Sequence, residues 1–248
     1  MAQNARERVR AQQRQQSQKA RRRRRLVLTA AVLALLALVV GIGISVQLTR
    51  SDITQSADEA PTGTIAEFGI ARGEQSAPVT LTIYEDFQCP ACRVLEELTT
   101  PTINTYIAEG TLRVIYRPMA FLDAASTTEY SSRALGGAGC VLDEAGRDAF
   151  VRMHDLLFRN QPPEGSPGLS DEQIAGLAAQ AGAQRSAIAS CMDGGRYDSW
   201  VAAATDQASK DGVTATPTLF VDSQQLEFSD QEDPRTTLSQ AIESAARP

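Results

Sequence analysis

The sequence predicts an α/β domain that carries a helical insertion and is preceded by a single membrane-spanning helix. Three patterns support this prediction. Alternating and β-branched residues over 79–87 predict a strand, helical spacing follows, and a second strand-like run begins at Leu112. From about 124 to 211 the apolar residues recur with helical periods only. Near the N-terminus, residues 26–46 form an uncharged apolar run.

The N-terminal part differs sharply in charge from the rest of the chain. Residues 1–25 hold ten Lys or Arg residues and one acidic residue, a net charge of +9, whereas the remainder holds 14 basic and 29 acidic residues, a net charge of −15. Leu26–Val46 is long enough to cross a bilayer, which takes about 20 apolar residues. Because Arg21–Arg25 precedes it, the positive-inside rule keeps the basic, disordered N-terminus cytoplasmic and exports the rest. We expect an uncleaved signal-anchor; the alternatives are a cleaved signal peptide and a buried core helix.

A tether and then the folded domain follow the predicted span. Residues 47–63 are rich in Ser, Thr, Asp, Pro and Gly, which predicts a flexible connection. The domain then comprises residues 64–248, with a short first strand expected within Thr64–Gly73.

The first half of the domain predicts a βαβ unit. Val79–Phe87 is the first strand, and Leu112–Ala120 is the second. The helix between them ends near Ala108 and is expected to be kinked or divided at Pro101. This order implies a parallel strand pair with a right-handed crossover.

The insertion is predicted to be entirely helical. Four helices are expected, at Ser126–Glu144, Gly146–Gln161, Ser170–Ala181 and Ala183–Asp211, the last with a possible break at Gly194–Gly195. Ser170 and Gln173 form a capping-box pair, and Gln161–Gly168 is expected to be a surface loop. The chain is expected to close with a hairpin of Leu219–Val221 and Gln225–Phe228 and a helix at Pro234–Ala246.

Cys89-Pro90-Ala91-Cys92 lies at the junction between the first predicted strand and its helix. Pro90 suits the first helical position because its missing N–H would have no partner there, which places Cys89 at the N-cap. The helix end then stabilises a thiolate on Cys89. Cys92, one turn inside, is placed to close a disulfide or to release a mixed disulfide. The pattern indicates a thiol–disulfide exchange site, with a permanent Cys89–Cys92 disulfide as the alternative.

A second stretch, Gly212–Val221, predicts a loop and then a strand beginning at the Thr216–Pro217 bond. The chain from about Pro78 to Asp222 resembles the DsbA-like disulfide oxidoreductases of the bacterial envelope, in the thioredoxin superfamily. The residues that carry this resemblance are Asp86–Cys92, Pro101, Met153–Phe158 and Thr216–Thr218.

This resemblance implies a thioredoxin-like fold with a helical insertion and assigns roles to individual residues. Cys89 would be the exposed nucleophile and Cys92 the buried resolving thiol. Pro217 would be a cis-proline facing the disulfide, and Thr216 would present its backbone to a substrate strand. The substrate-facing surface would also include Pro90 and Ala91. An ordinary turn at Thr216–Pro217 is the alternative.

Two departures from the family pattern concern proton transfer and redox strength. Strongly oxidising DsbA proteins have His where this chain has Ala91, so stabilisation of the thiolate must come from the helix end and local amides. Many relatives carry an acidic residue where this chain has Ile83. Glu85 or Asp86 could serve Cys92 as a proton relay, but solvated or structural carboxylates are the favoured interpretation.

The remaining candidates lie in the insertion. The resemblance suggests that Cys140 and Cys191 meet there, and a structural disulfide is favoured over two free thiols. His154 is interpreted as a helix-packing residue rather than a catalytic one. Tyr197 and Trp200 are expected to line the core or a groove.

The resemblance implies a cell-membrane thiol–disulfide oxidoreductase that oxidises cysteine pairs of exported proteins outside the cytoplasm. A quinone-linked integral membrane protein of the DsbB or vitamin K epoxide reductase type would reoxidise it, and no cofactor is expected. The alternatives are a reductase or isomerase, and a binding or chaperone module with a structural cysteine pair. The acidic exported part argues against nucleic acid, so anionic membrane lipid is the expected neighbour of the basic segment. A single histidine in the chain argues against a Cys/His zinc site.

Overall fold

The computed structural model describes residues 60–229 and 232–247. The predicted basic segment (1–25), membrane span (26–46) and most of the tether (47–59) lie outside the described residues. Within the described part, no helix is both long enough and apolar enough to cross a membrane.

A six-stranded sheet forms the centre of the domain, with the strand order β1-β2-β4-β3-β5-β6. The strands are β1 Thr64–Ile65, β2 Gly69–Arg72, β3 Val79–Glu85, β4 Leu112–Pro118, β5 Thr218–Val221 and β6 Gln224–Leu226. Strands β3 and β4 run parallel, as predicted, and the other four neighbouring pairs are antiparallel. The side chains of β3 and β4 that face the core are apolar and buried.

The described residues also form six α-helices. They are α1 Pro90–Ala108, α2 Tyr130–Arg159, α3 Asp171–Ala181, α4 Arg185–Asp193, α5 Asp198–Lys210 and α6 Pro234–Ala245. Helices α2 to α5 lie between β4 and β5 in the chain, so the predicted α/β fold with a helical insertion is confirmed. Helix α2 packs against α3, α4 and α5, while α1 packs against α6 and β4.

Pro101 does not divide α1, which runs unbroken through it. A proline inside a helix removes one hydrogen bond to the carbonyl four residues earlier. That carbonyl belongs to Glu97, an exposed residue, so water can replace the missing donor. The predicted first strand also differs, because it consists of two short strands, β1 and β2, joined by a 3-10 turn at Ala66–Phe68.

Helix α2 begins later than predicted and joins two predicted helices. Its start moves to Tyr130 because Glu129 has a left-handed backbone conformation with φ 52° and ψ 47°, which cannot lie inside an α-helix. Gly146 interrupts the helix with φ 80° and ψ −177°, a conformation that favours glycine. The predicted break at Gly194–Gly195 is present between α4 and α5, and the Ser170–Gln173 capping box is formed.

Candidate active site

Cys89 is the N-cap residue of α1, and Pro90 is the first residue of that helix, as the sequence predicts. The resemblance implied an exposed Cys89, and this is wrong, because the residue is only 6% exposed. Its Sγ lies 3.3 Å from the Thr216 carbonyl oxygen, so the loop before β5 covers it. Cys92 is buried, with 1% of its surface exposed. Both cysteines are thiols in this structure.

The surroundings of Cys89 favour its thiolate. The largest effect is the hydrogen bond from the Cys92 thiol, which lowers the pKa of Cys89 against the opposing effect of burial. The Thr216 hydroxyl and the backbone N–H groups of Ala91 and Cys92 also donate. Together they bring the pKa from 9.0 to about 6. Cys89 therefore ionises readily without a side-chain donor at position 91.

Cys92 has the opposite character. Burial raises its pKa far above that of a free thiol, and the hydrogen bond to Cys89 and the negative charges of Cys89 and Glu85 raise it further. Cys92 therefore stays protonated while Cys89 is a thiolate. This division of acidity fits a pair in which Cys89 is the nucleophile and Cys92 the resolving thiol.

The Thr216–Pro217 peptide bond is cis. The sheet register brings it to Cys89, because β3 and β5 pair antiparallel with Tyr84 opposite Thr218. The turn after β3 and the loop before β5 therefore meet at the same end of the sheet. Thr216 and Pro217 are half-buried beside Cys89.

Asp86 anchors the turn that leads from β3 to Cys89. Its carboxylate accepts from the backbone N–H of Gln88 at 2.7 Å, from the Ser131 hydroxyl at 2.6 Å and from the backbone N–H of Leu122 at 2.8 Å. Asp86 is fully buried, and burial raises its pKa despite these bonds. It is a structural carboxylate; the idea that it is solvated is wrong.

Glu85 is also buried, and it pairs with His154 of α2. Its Oε1 lies 2.7 Å from His154 Nε2, and both side chains are at most 1% exposed. Burial alone would lower the pKa of His154, but the Glu85 carboxylate and a hydrogen bond to Asp155 hold it well above 6.5. His154 Nε2 is therefore protonated and donates to Glu85. The histidine does pack within the core, but as half of an ion pair.

Two glutamines near the site were not recognised from the sequence. Gln161 Nε2 donates to the carbonyl oxygens of Phe87 and Cys89, at 3.1 and 2.9 Å. Gln88 Nε2 donates in return to the carbonyl oxygens of Pro163 and Ser166, at 3.5 and 3.2 Å. The loop 161–168 is thus fastened to the active-site turn. In the sequence, Gln161 directly precedes a Pro-Pro pair. This pattern predicts a loop but does not show that the loop contacts the active-site turn.

Glu96 was also missed. It lies on α1, half-buried, and its carboxylate is within 4.8 Å of the ligand-type atoms of Glu85 and His154. Among residues 60–229 and 232–247 this is the one cluster with a metal-type donor set. His154 uses a proton on Nε2 to bind Glu85, so that nitrogen has no lone pair for a cation. The cluster is an ion pair of Glu85 and His154 with a third carboxyl group, that of Glu96, close to it.

The insertion places its two cysteines together. Cys140 of α2 and Cys191 of α4 form a disulfide with an S–S distance of 1.97 Å and a Cα–Cα distance of 6.2 Å. Tyr197 and Trp200 are buried nearby, with ring centroids 6.3 Å apart. These residues belong to the packing of the insertion.

The model of the family described as thioredoxin matches residues 66–243 of this chain. Among solved structures, the chain is similar to the reduced form of the disulfide bond oxidoreductase DsbG of Mycobacterium tuberculosis, with 29% identity and a TM-score of 0.62 over 77% of this chain and 97% of that one. It is also similar to the reduced form of DsbA from the same organism, with 29% identity and a TM-score of 0.60 over 72% and 97% of the two chains.

A curated relative shares only part of its length with this chain. The serine/threonine-protein kinase PknE of Mycobacterium tuberculosis (strain ATCC 25618 / H37Rv) is 31% identical over 131 residues, which are 51% of this chain and 23% of the kinase. The chain therefore spans less than a quarter of this relative.

Proposed function

This chain belongs to the thioredoxin family, and on that basis we propose that it is a thiol–disulfide oxidoreductase that introduces disulfide bonds into exported proteins. One observation carries the proposal: Cys89 and Cys92 are neighbours with opposite acidities, at a helix N-terminus facing a cis-proline. A cysteine pair with a purely structural role does not require a stabilised thiolate. The similarity to DsbG and DsbA supports the same activity.

The reaction begins with the Cys89–Cys92 disulfide. A substrate thiolate attacks Cys89 Sγ, a bond forms between the two sulfurs, and Cys92 leaves and takes up a proton. A second substrate thiolate then attacks the substrate sulfur of the mixed disulfide. Cys89 leaves as a thiolate, the substrate has lost two electrons, and the reduced protein holds the Cys89 thiolate and the Cys92 thiol.

The low pKa of Cys89 favours this direction. A thiolate that is stable at neutral pH is a good leaving group, and its stability favours the reduced protein over the disulfide. The protein therefore transfers its disulfide to a substrate dithiol more readily than a protein whose corresponding thiol has an ordinary pKa. Return to the disulfide form requires an electron acceptor, and a quinone-linked integral membrane protein of the DsbB or vitamin K epoxide reductase type would supply it.

The exposed rim around Cys89 provides the substrate surface. Pro90 and Ala91 are exposed, and Thr216 and Pro217 border the sulfur on the other side. We assign to Thr216 the pairing of its backbone with an extended substrate segment. The uncharged run Leu26–Val46 would hold the domain in the cell membrane on the extracytoplasmic side.

The test is a Cys89→Ser variant assayed for oxidation of a peptide dithiol, together with equilibration of the wild type against glutathione. We expect no oxidase activity in the variant and a reduction potential between about −270 and −120 mV in the wild type. A reduction potential at or below about −270 mV, the value for thioredoxin, would instead indicate that the chain is a disulfide reductase. A Cys89 thiol that titrates like a free cysteine would assign the cysteine pair to structure.

A further inference from the structure

Tyr84 of β3 contacts both ends of the loop 212–217, which covers Cys89. At the end of the loop, Tyr84 is the register partner of Thr218, the first residue of β5. At the start of the loop, the Tyr84 hydroxyl donates to Oδ2 of Asp211, the residue directly before it, at 2.9 Å. The strand that carries Tyr84 also leads into the turn before Cys89. One residue of β3 therefore fixes where this loop begins and where it ends.

Arg117 of β4 completes the set of bonds around the Tyr84 hydroxyl. Arg117 Nη1 donates to the hydroxyl oxygen at 2.7 Å and to Asp211 Oδ2 at 3.1 Å. Tyr84 and Arg117 are register partners, and Arg117 Cζ lies 5.4 Å from the centroid of the Tyr84 ring. Burial and the hydrogen bond to Asp211 raise the pKa of Tyr84 to about 12, so the hydroxyl keeps its proton and donates. The three side chains join β3, β4 and the start of the loop.

The Tyr84 ring adds an apolar contact to the same loop. Val213 is 4% exposed and belongs to a small apolar cluster with Tyr84. The Phe220 ring of β5 meets the Tyr84 ring edge-on, with ring centroids 6.0 Å apart. The next loop residues, Thr214 and Ala215, are exposed. Packing therefore holds the loop near its ends, at positions that Tyr84 determines.

The position of this loop acts on Cys89 through Thr216. The Thr216 carbonyl oxygen lies 3.3 Å from Cys89 Sγ, and the Thr216 hydroxyl helps to lower the pKa of Cys89. Hydrogen bonds weaken steeply as their distance and angle depart from the preferred values. A small displacement of the loop would therefore reduce the stability of the thiolate. It would also move the backbone that we assign to substrate pairing.

We propose that Tyr84, Arg117 and Asp211 are positioning residues that hold the loop 212–217 against Cys89. The inference rests on the proposed oxidoreductase function and adds the residues that set the geometry of its reactive sulfur. The three side chains act through Thr216 and not on the sulfur itself. A cluster that only stabilised the fold would, when removed, lower the free energy of unfolding and leave the pKa of Cys89 unchanged.

The direction of the expected change separates positioning from a direct effect of charge. Removing the negative charge of Asp211 would by itself make the Cys89 thiolate easier to form, which lowers the pKa of Cys89. Displacing Thr216 has the opposite effect, because the thiolate loses a donor. A hydrogen bond to a charged group changes the pKa of that group by about one to two pH units. Asp211→Ala should therefore raise the pKa of Cys89 from about 6 to about 7.

The test measures the alkylation rate of Cys89 against pH in the reduced protein, and the KM for a peptide dithiol in the oxidised protein. We expect Asp211→Ala and Tyr84→Phe, which changes no charge, both to raise the pKa of Cys89 and to raise the KM. Asp206→Ala is the matched control. Asp206 pairs with Lys210 on α5 at 2.6 Å, and its side chain is 29% exposed, against 28% for Asp211. This control should leave the pKa and the KM unchanged.

Thr216→Val gives an independent arm, because it removes the hydroxyl through which the three side chains are proposed to act. In that background Asp211→Ala should no longer raise the pKa of Cys89, since changes along one path are not additive. An unchanged pKa in Asp211→Ala, an equal rise in Asp206→Ala or a full rise in the Thr216→Val background would overturn the proposal. If Asp211→Ala does not fold, an unchanged pKa in Tyr84→Phe would do so. A wild-type protein that never oxidises the dithiol would refute the proposed function, and the pKa comparison would still decide the positioning role.

Discussion

Gln161 donates a hydrogen bond to the carbonyl oxygen of Cys89, 2.9 Å away, and so ties the loop after α2 to the turn that carries Cys89. The same amide nitrogen also reaches the Phe87 carbonyl. Backbone carbonyls of buried residues need a partner, and an unsatisfied one costs about 1–3 kcal/mol. The insertion therefore holds the backbone of Cys89 in place.

Replacing Gln161 by Ala should lower the free energy of unfolding by about 1–3 kcal/mol, because the carbonyl group of buried Phe87 loses this donor. The Cys89 carbonyl keeps the backbone N–H of Arg93 as its donor. Denaturant unfolding of the reduced protein measures this loss. Asn160→Ala is the control, since Asn160 caps the end of α2 and its side chain donates to the Leu156 carbonyl of that helix, 2.8 Å away. An equal loss of unfolding free energy in both variants would show that the hydrogen bonds of Gln161 to the active-site turn do not stabilise the protein more than a bond at a helix end.

The reactivity of Cys89 should follow its thiolate. We expect its alkylation rate to rise as pH increases through about 6 and to level off near neutral pH. Because the folded-state pKa lies below the unfolded value, this group stabilises the reduced protein above the unfolded pKa. That contribution is lost as pH falls toward 6 and below. Unfolding of reduced wild type and Cys89→Ser across this range measures it; a pH-independent difference would contradict the assignment.

Removing Cys92 should affect Cys89 in two ways. Cys92→Ala deletes the hydrogen bond that contributes most to the low pKa of Cys89, so that pKa should rise. The variant should also accumulate mixed disulfides with substrates, because no internal thiol remains to release them. Peptide mapping should locate every adduct on Cys89. Adducts on Cys140 would show that the roles are assigned wrongly.

The Cys140–Cys191 disulfide should behave as a structural bond. Its separation of 51 residues predicts a contribution of about 4 kcal/mol to the free energy of unfolding in the chain-entropy model. Cys140→Ser with Cys191→Ser should show this loss in denaturant unfolding, with the Cys89–Cys92 pair left intact for comparison. Under graded reduction, the Cys89–Cys92 disulfide should open first. Free thiols at both insertion positions in air-oxidised protein would refute the prediction.

With Ala91, the protein should be a weaker oxidant than it would be with a histidine at this position. A histidine there would add a donor and a positive charge close to the Cys89 thiolate. Ala91→His should therefore lower the pKa of Cys89 below about 6 and raise the reduction potential. Thiolate absorbance against pH and glutathione equilibration measure both quantities, with Ala91→Leu as the uncharged control. A potential that stays constant or becomes more reducing would show that position 91 does not control it.

Short-range patterns gave the order of elements and the cysteine motif. The alternation before Phe87 and the Pro90 helix start are local, so sequence reveals them directly. The partners of Glu85 and Cys89 are not local, because His154 and Gln161 lie about seventy residues further on. The local sequence pattern around Glu85 or Cys89 does not indicate which distant side chain will contact that residue. The expectation that Cys89 is exposed was wrong for the same reason, since the residue that covers it, Thr216, is distant in sequence.

The pairing of β3 with β5 has a consequence for how the protein is made. Thr216 stands 127 residues after Cys89, so the site assembles only when nearly the entire domain has left the ribosome. Until then Cys89, Cys92 and Cys140 are all available, and Cys191 is the last of the four to emerge. Four cysteines permit three pairings, and only the arrival of α4 makes the native one favourable. The domain therefore passes, during its own synthesis, through a stage at which its cysteines can pair wrongly.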